Sequence, residues 1–132
     1  MLLSPARHPL FVDLLAFIAG ALLPLAFAPF DIWLLAILLP AILLWTWDGA
    51  SPRRAAVRGG LFGLGLYGFG IHWIFISLHD YGNAPAPFAA LATALVVLAM
   101  ALYPVALGGL IVRWGPTPGP ARWLLAFPAL WT

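Results

Sequence analysis

Apolar residues along this chain do not alternate with polar ones; they run together in long blocks separated by short polar punctuation. Crossing about 30 Å of hydrocarbon takes about 20 apolar residues in a helix. Four blocks reach or approach that length, at about 10–28, 32–47, 59–78 and 88–112, and a fifth begins at about Trp123. Backbone groups in lipid must bond within their own segment, so these blocks predict helices. A β-barrel would show alternating segments of about ten residues, and the sequence has none. The predicted fold is all-α: residues 1–132 form a polytopic membrane helix bundle of four complete transmembrane helices plus the start of a fifth, at 123–132.

The punctuation refines this picture. Pro40 and Pro104 fall inside the second and fourth blocks, where each removes a backbone donor and predicts a bend. Arg7, the apolar stretch after it and Ala26-Phe27-Ala28 have the outline of a secretory signal. Asp13 within the apolar part, and Pro29 directly after the would-be cut, argue for a retained span instead. The last block offers only about 15 Å of helix before Thr132, half a crossing, which reads as a fragment of a longer protein.

Composition then excludes several classes. The chain is 64% hydrophobic and 8% charged, against about 25% charged in a soluble domain, so lipid must be part of its solvent. Every basic residue is Arg and every acid Asp; the net charge of +2 is small and scattered, which excludes a nucleic-acid partner. The absence of Cys removes disulfides, thiolate metal sites and a cysteine nucleophile from this chain.

Charge placement gives a threading. With a cytoplasmic N-terminus, Arg7, Arg53, Arg54, Arg58, Arg113 and Arg122 all fall on the cytoplasmic side. The loops at 29–31 and at His79 to Pro87 then face outward without Arg or Lys, as the positive-inside rule requires. Trp33 fits the outer aromatic belt, and Trp45, Trp47, Trp114 and Trp123 the inner one. The outer loop would be periplasmic in a bacterial inner membrane.

Few residues are left for chemistry. In GGLFGLGLYGFG, a spacing of 100° per residue groups Gly59, Gly63 and Gly70 on one face, with Gly65 and Gly68 roughly opposite. Small residues let helices approach closely in lipid, so this helix suits a place between two neighbours. His72 and His79 stand seven apart; in a continuous helix His79 would sit at the outer interface and His72 about 10 Å deeper. Three readings of His72 compete: a hydrogen bond to a neighbouring helix, the lining of a lipid-headgroup cavity, and a metal or haem ligand. The seven-residue spacing disfavours the last. Trp73 and Tyr81 read as interfacial anchors, Asp80 as a loop terminator or partner of a headgroup amine, and Asn83 as a turn residue. Asp13 should pair with Arg7 or an arginine of the second loop; Asp31 should cap the second helix and Asp48 close it. No nucleophile–base pair is present.

Three strings carry a resemblance: LAFAPFDIWLLAIL, SPRRAAVRGGLFGLGLYGFGIHWIFISLHDYGNAPAPFAAL and ARWLLAFPALW. In order and spacing they resemble the amino-terminal membrane region of the apolipoprotein N-acyltransferases, over essentially the whole chain. The F-A-P-F-D turn and G-x-H-W-x-x-x-S-x-H-D-Y-G are the most specific parts; at Asn83 the family more often has a second glycine. The resemblance implies eight membrane helices in the inner membrane and a periplasmic nitrilase-like domain. It implies a cysteine thiolate that takes an acyl chain from phosphatidylethanolamine, and an apolipoprotein whose α-amine accepts it. A glutamate base and an oxyanion-stabilising lysine complete the implied site. This chain has no Cys, Lys or Glu, so no catalytic residue carries over and the fragment alone should be inactive. No cofactor or metal is implied. The remaining helices and the catalytic domain would be partners. His72, Trp73, His79, Asp80 and Tyr81 are the candidates for the rim of a lipid opening. A small membrane transporter and a pure assembly module are the alternatives.

Overall fold

Ser51 and Pro52 start the helix around which the others are arranged. The Arg54 N–H donates to Ser51 Oγ at 3.3 Å, and Pro52 takes the first helical position, where no N–H is needed. The computed structural model describes residues 8–115 and, beyond them, positions 120, 122, 124, 128 and 129. Helix α1 (Pro9–Leu22) continues into a 3₁₀ turn at Leu23–Ala26, where Pro24 interrupts the α-helical ladder. Helix α2 (Leu35–Trp47) follows, then α3 (Pro52–Gly70), the short α4 (Trp73–Ile76), a wide π-type turn (Ser77–Tyr81) and α5 (Ala86–Trp114). Among the described residues there is no strand.

Helix α3 lies between α1 and α5, as its two glycine faces require. On one side, a Cβ built on Gly65 would overlap the Phe17 carbonyl, and one on Gly20 the Phe62 carbonyl. On the other, Gly59 and Gly63 meet the carbonyl and ring of Pro104, and Gly108 meets the Ala55 carbonyl. Two glycines depart from the expected grouping. Gly70 approaches Pro24, because the Leu23–Ala26 turn crosses the end of α3, and Gly68 has open space around it. Helix α2 packs on this frame through buried Leu39, Leu43 and Trp47, which join Ala16, Ala19, Phe62, Leu107 and Ile111 in the core.

An ion-pair network ties the opposite end together. Asp13 accepts from Arg54 Nη1 and Arg58 Nε, each at 2.9 Å, and Arg58 Nη1 also donates to the Thr46 carbonyl. One guanidinium thus joins α1, α2 and α3. The carboxylate's partners lie on α3, not in a loop: the helix begins seven residues before Gly59, and Arg53, Arg54 and Arg58 ride on its first two turns. Arg7 lies outside the described residues.

Several expectations change. Of four complete spans, two helices are long and apolar enough outright, Pro9–Ala26 and Ala86–Trp114. A third counts if α3 and the Trp73–Tyr81 segment, bent by 41° against each other, form one span. Helix α2, at 13 residues, reaches about 20 Å and falls short of a crossing. The fifth span falls, apart from isolated positions, outside the described residues. Trp47 is fully buried against Gly108 rather than placed at an interface, whereas Trp33, Trp45 and Trp114 are exposed. Asp31 does not cap α2: it takes a left-handed turn conformation (φ 53°), tolerable for Asp, and the helix starts only at Leu35. Asp48 does close α2, its N–H bonding the Trp45 carbonyl.

Two outcomes follow for the full-length protein, read by equilibrium unfolding in mixed micelles. Gly20→Leu should destabilise by about 1–3 kcal/mol or more through overpacking against backbone, while Gly68→Ala stays within about 0.5 kcal/mol. Arg58→Ala removes the less exposed guanidinium and its bond to the Thr46 carbonyl but leaves Asp13 paired with Arg54, and should cost about 1.5–3 kcal/mol; Arg54→Ala, at a half-exposed site, should cost about 1 kcal/mol or less. Equal losses at Arg54 and Arg58 would contradict the assigned burial.

Candidate functional site

At the end of α3 remote from the ion pairs, the helical ladder breaks. Ile71 leaves helical geometry (φ −114°, ψ 17°), and α4 starts in a new direction, packed on α5. Glycines at 63, 65, 68 and 70 weaken the helix just before this point. The departure leaves a cleft of about 560 Å³ between the end of α3 and the chain that follows α1. Pro24, Phe27 and Phe30 line one wall, and Tyr67, Phe69 and His72 the other. The walls are mostly apolar, and Phe27, Phe30 and Phe69 are more than half exposed.

His72 stands at the break itself. Its Nδ1–H donates to the Phe69 carbonyl at 2.7 Å, three residues back. In the neutral ring, Nε2 is then an acceptor. Its partner is therefore its own preceding turn and not a neighbouring helix, and the ring lines the cleft. The other four rim candidates stand apart from the cleft. Trp73 opens α4 and is 56% exposed; His79, Asp80 and Tyr81 lie in the π-type turn, with Tyr81 83% exposed. The bend of 41° thus separates His72 from His79, which a continuous helix would have stacked on one face.

The turn is built by local bonds. His79 Nδ1–H donates to the Ala84 carbonyl at 2.9 Å, its ring lies 5.5 Å from that of Phe75, and the Gly82 N–H bonds the Ser77 carbonyl. Asn83 takes φ 52°, a conformation that suits Asn or Gly and little else, so the exchange of one for the other preserves the turn. Wide π-type turns of this sort occur often at functional sites.

Chemically, the mostly apolar walls suit the binding of an apolar group. The polar side chains lining the apolar cleft are those of His72 and Tyr67, and no carboxylate is among its lining residues. Among the described residues no group of three His, Cys, Asp or Glu side chains could hold a metal ion. Sequence reasoning missed Phe27, Phe30, Tyr67 and Phe69 as cleft walls. The available signal was the pair of phenylalanines flanking Ala-Pro, too large for a tight turn to bury.

The His79 bond has a measurable consequence. His79→Ala should cost about 0.5–1.5 kcal/mol of local stability and raise amide exchange across 77–84 in the full-length protein, leaving 55–65 unchanged. Wild-type exchange in that turn would remove the role assigned to the imidazole.

Comparison with known proteins bears on this geometry. Residues 19–132 match the family described as apolipoprotein N-acyltransferase N-terminal domain. An apolipoprotein N-acyltransferase of Methylococcus capsulatus is 48% identical over 118 residues, covering 89% of this chain and 23% of the relative. The protein of the same name from Azotobacter vinelandii is 48% identical over 120 residues, covering 90% and 23%. That of Vibrio cholerae is 40% identical over 128 residues, covering 97% and 25%. The chain thus spans about a quarter of the length of these relatives.

Proposed function

The chain belongs to the apolipoprotein N-acyltransferase family, and from that premise we propose that it is the membrane-embedded part of an enzyme acylating bacterial lipoproteins. The acyl chain leaves a membrane phospholipid, phosphatidylethanolamine, and ends on the α-amine of a lipoprotein's N-terminal diacylglyceryl-cysteine. Transfer through a thiolate would form a thioester and release a lysophospholipid; attack by the amine would then free the thiolate. This chain has neither Cys nor Lys nor Glu, so those steps belong to sequence outside it, and its own share is to place lipid.

The observation that carries the reading is the break at Ile71–His72. It opens an apolar cleft at the charge-poor end of the helices, where an acyl chain can leave the bilayer core. In this reading that end is periplasmic, the N-terminus is cytoplasmic and the bilayer is the bacterial inner membrane. Phe27, Phe30, Tyr67 and Phe69 flank the acyl chain. His72 Nε2 accepts a hydrogen bond from the headgroup ammonium, or from water beside it. Trp73, His79, Asp80 and Tyr81 stand apart from the cleft, on α4 and the π-type turn, where in this reading they meet the headgroup layer and the Asp80 carboxylate complements the ethanolamine charge. The protein's partners are then the phospholipid donor, the apolipoprotein acceptor and the enzyme's remaining helices and catalytic domain.

Single-turnover acylation of the full-length enzyme by labelled phosphatidylethanolamine tests this. Ala28→Trp, which fills the cleft, should slow thioester formation about tenfold, as expected when roughly 1–3 kcal/mol of apolar contact is lost. Asp80→Ala should raise the half-saturating phosphatidylethanolamine level with less effect on the saturated rate. Wild-type kinetics in both variants, with folding intact, would end the lipid-placement reading.

A further inference from the structure

Among the described residues, the opposite end of α3 carries more arginine than aspartate. Arg53, Arg54, Arg58 and Arg113 gather there against Asp13 and Asp48. Asp13 is shared by Arg54 and Arg58 at 2.9 Å each, and Asp48 lines a separate cleft with Trp45 on α2. Among the described residues neither Arg53 nor Arg113 has an ion pair, and Arg113 lies over the face of Trp114, 5.3 Å from its centroid. Between Ser51, Arg53, Arg54 and Val57 lies a cleft of about 360 Å³, lined by two guanidinium-bearing residues and one apolar side chain. Gly109 of α5 faces the Pro52 carbonyl and Ala56, which brings Arg113, one turn further on, to the same end.

The chemistry selects the ligand. A helix start alone would be a weak anion site here, because the Arg54 N–H is already taken by Ser51 Oγ. The guanidinium groups provide the attraction, and their planar fork matches the oxygens of a phosphate. Exposed Val57, and Trp114 at 72% exposure, place the cleft beside acyl chains rather than in open water. We propose that the Ser51–Arg53–Arg54–Val57 cleft, with Arg113 beside it, seats the phosphate of an anionic phospholipid at the end of the bundle opposite the His72 cleft. A diacyl lipid with a net negative headgroup satisfies both the charge and the apolar flank. A zwitterionic lipid brings its own cation and gains less. The site is separate from acyl transfer: it anchors the first turns of α3 and holds the ion-pair end at the membrane surface.

Native mass spectrometry of the full-length protein, released from nanodiscs of phosphatidylcholine containing phosphatidylglycerol, tests the assignment. The wild type should retain phosphatidylglycerol selectively, and Arg53→Gln should lower that enrichment about fivefold, the effect of one arginine near the surface. Val57→Trp keeps every charge but fills the cleft, and should lower the enrichment as well. Full retention by Val57→Trp would mean diffuse surface attraction and overturn the seat. Full retention by Arg53→Gln would overturn it directly. Inorganic phosphate displacing the lipid at concentrations matching phosphatidylglycerol would show a soluble-anion site and overturn the lipid assignment. Arg53 is exposed, so its variant should unfold at the wild-type midpoint in phosphatidylcholine alone, which separates lost binding from lost folding.

Discussion

Everything in this bundle depends on the backbone of α3 lying in contact with the backbones of both α1 and α5. Between helices in lipid, burial of apolar surface gives no net drive, because the acyl chains outside are as apolar as the side chains within. Closeness has to supply the stability through dispersion and weak polar contacts, and closeness needs hydrogen where a Cβ would stand. Gly20 and Gly65 provide it toward one neighbour, Gly59, Gly63 and Gly108 toward the other. The same closeness makes the Asp13 network possible. With α1 held against α3, one carboxylate reaches guanidinium groups 41 and 45 residues away in sequence. A bulkier interface would hold the helices apart and leave the acid unpaired near hydrocarbon.

The two ends of α3 are consequently unlike. At one, glycine contacts, a buried indole at Trp47 and a guanidinium shared among three helices leave little freedom. At the other, the glycines continue past the last close neighbour, so Gly68 faces open space and the helix gives way at Ile71. Charge follows the same division. The tight end carries the arginines, while the open end carries Asp31 and Asp80 and no Arg or Lys. A helix anchored at one end and broken at the other can present a cleft to lipid without loosening the bundle.

Much of this was legible in the sequence. The apolar blocks located α1 and α5, the glycine spacing of α3 implied two neighbours, and of the two partners expected for Asp13, Arg7 or an arginine of the second loop, the latter is the one the structure shows. What was not legible was where a helix stops. An apolar run from Gly59 to Leu78 looks continuous because hydropathy is blind to backbone strain, and Ser51-Pro52 marked an earlier start that the arginines disguised. Trp47 misled for a related reason. Tryptophan is at home at an interface, but the small Gly108 opposite makes room for the indole in the core, and only the packing reveals that. Phe27 and Phe30 gained their significance from the segment they face, which is more than 30 residues further along the chain.

The histidines show why polar residues gather at the open end. Breaking a helix frees carbonyls, and in hydrocarbon each unsatisfied backbone group costs several kcal/mol. At this break, side chains answer part of that need. His72 bonds the Phe69 carbonyl at the break, and His79 bonds the Ala84 carbonyl where the next helix is about to begin. Imidazole suits the task because one ring nitrogen donates to a carbonyl while the ring packs against an apolar neighbour, as His79 does on Phe75. Irregular backbone at membrane depth is tolerated where it is enclosed by protein or lines a cavity. The cleft beside His72 and the histidine itself are therefore two aspects of one break, and the polar atom at the cleft wall is fixed in place by the fold.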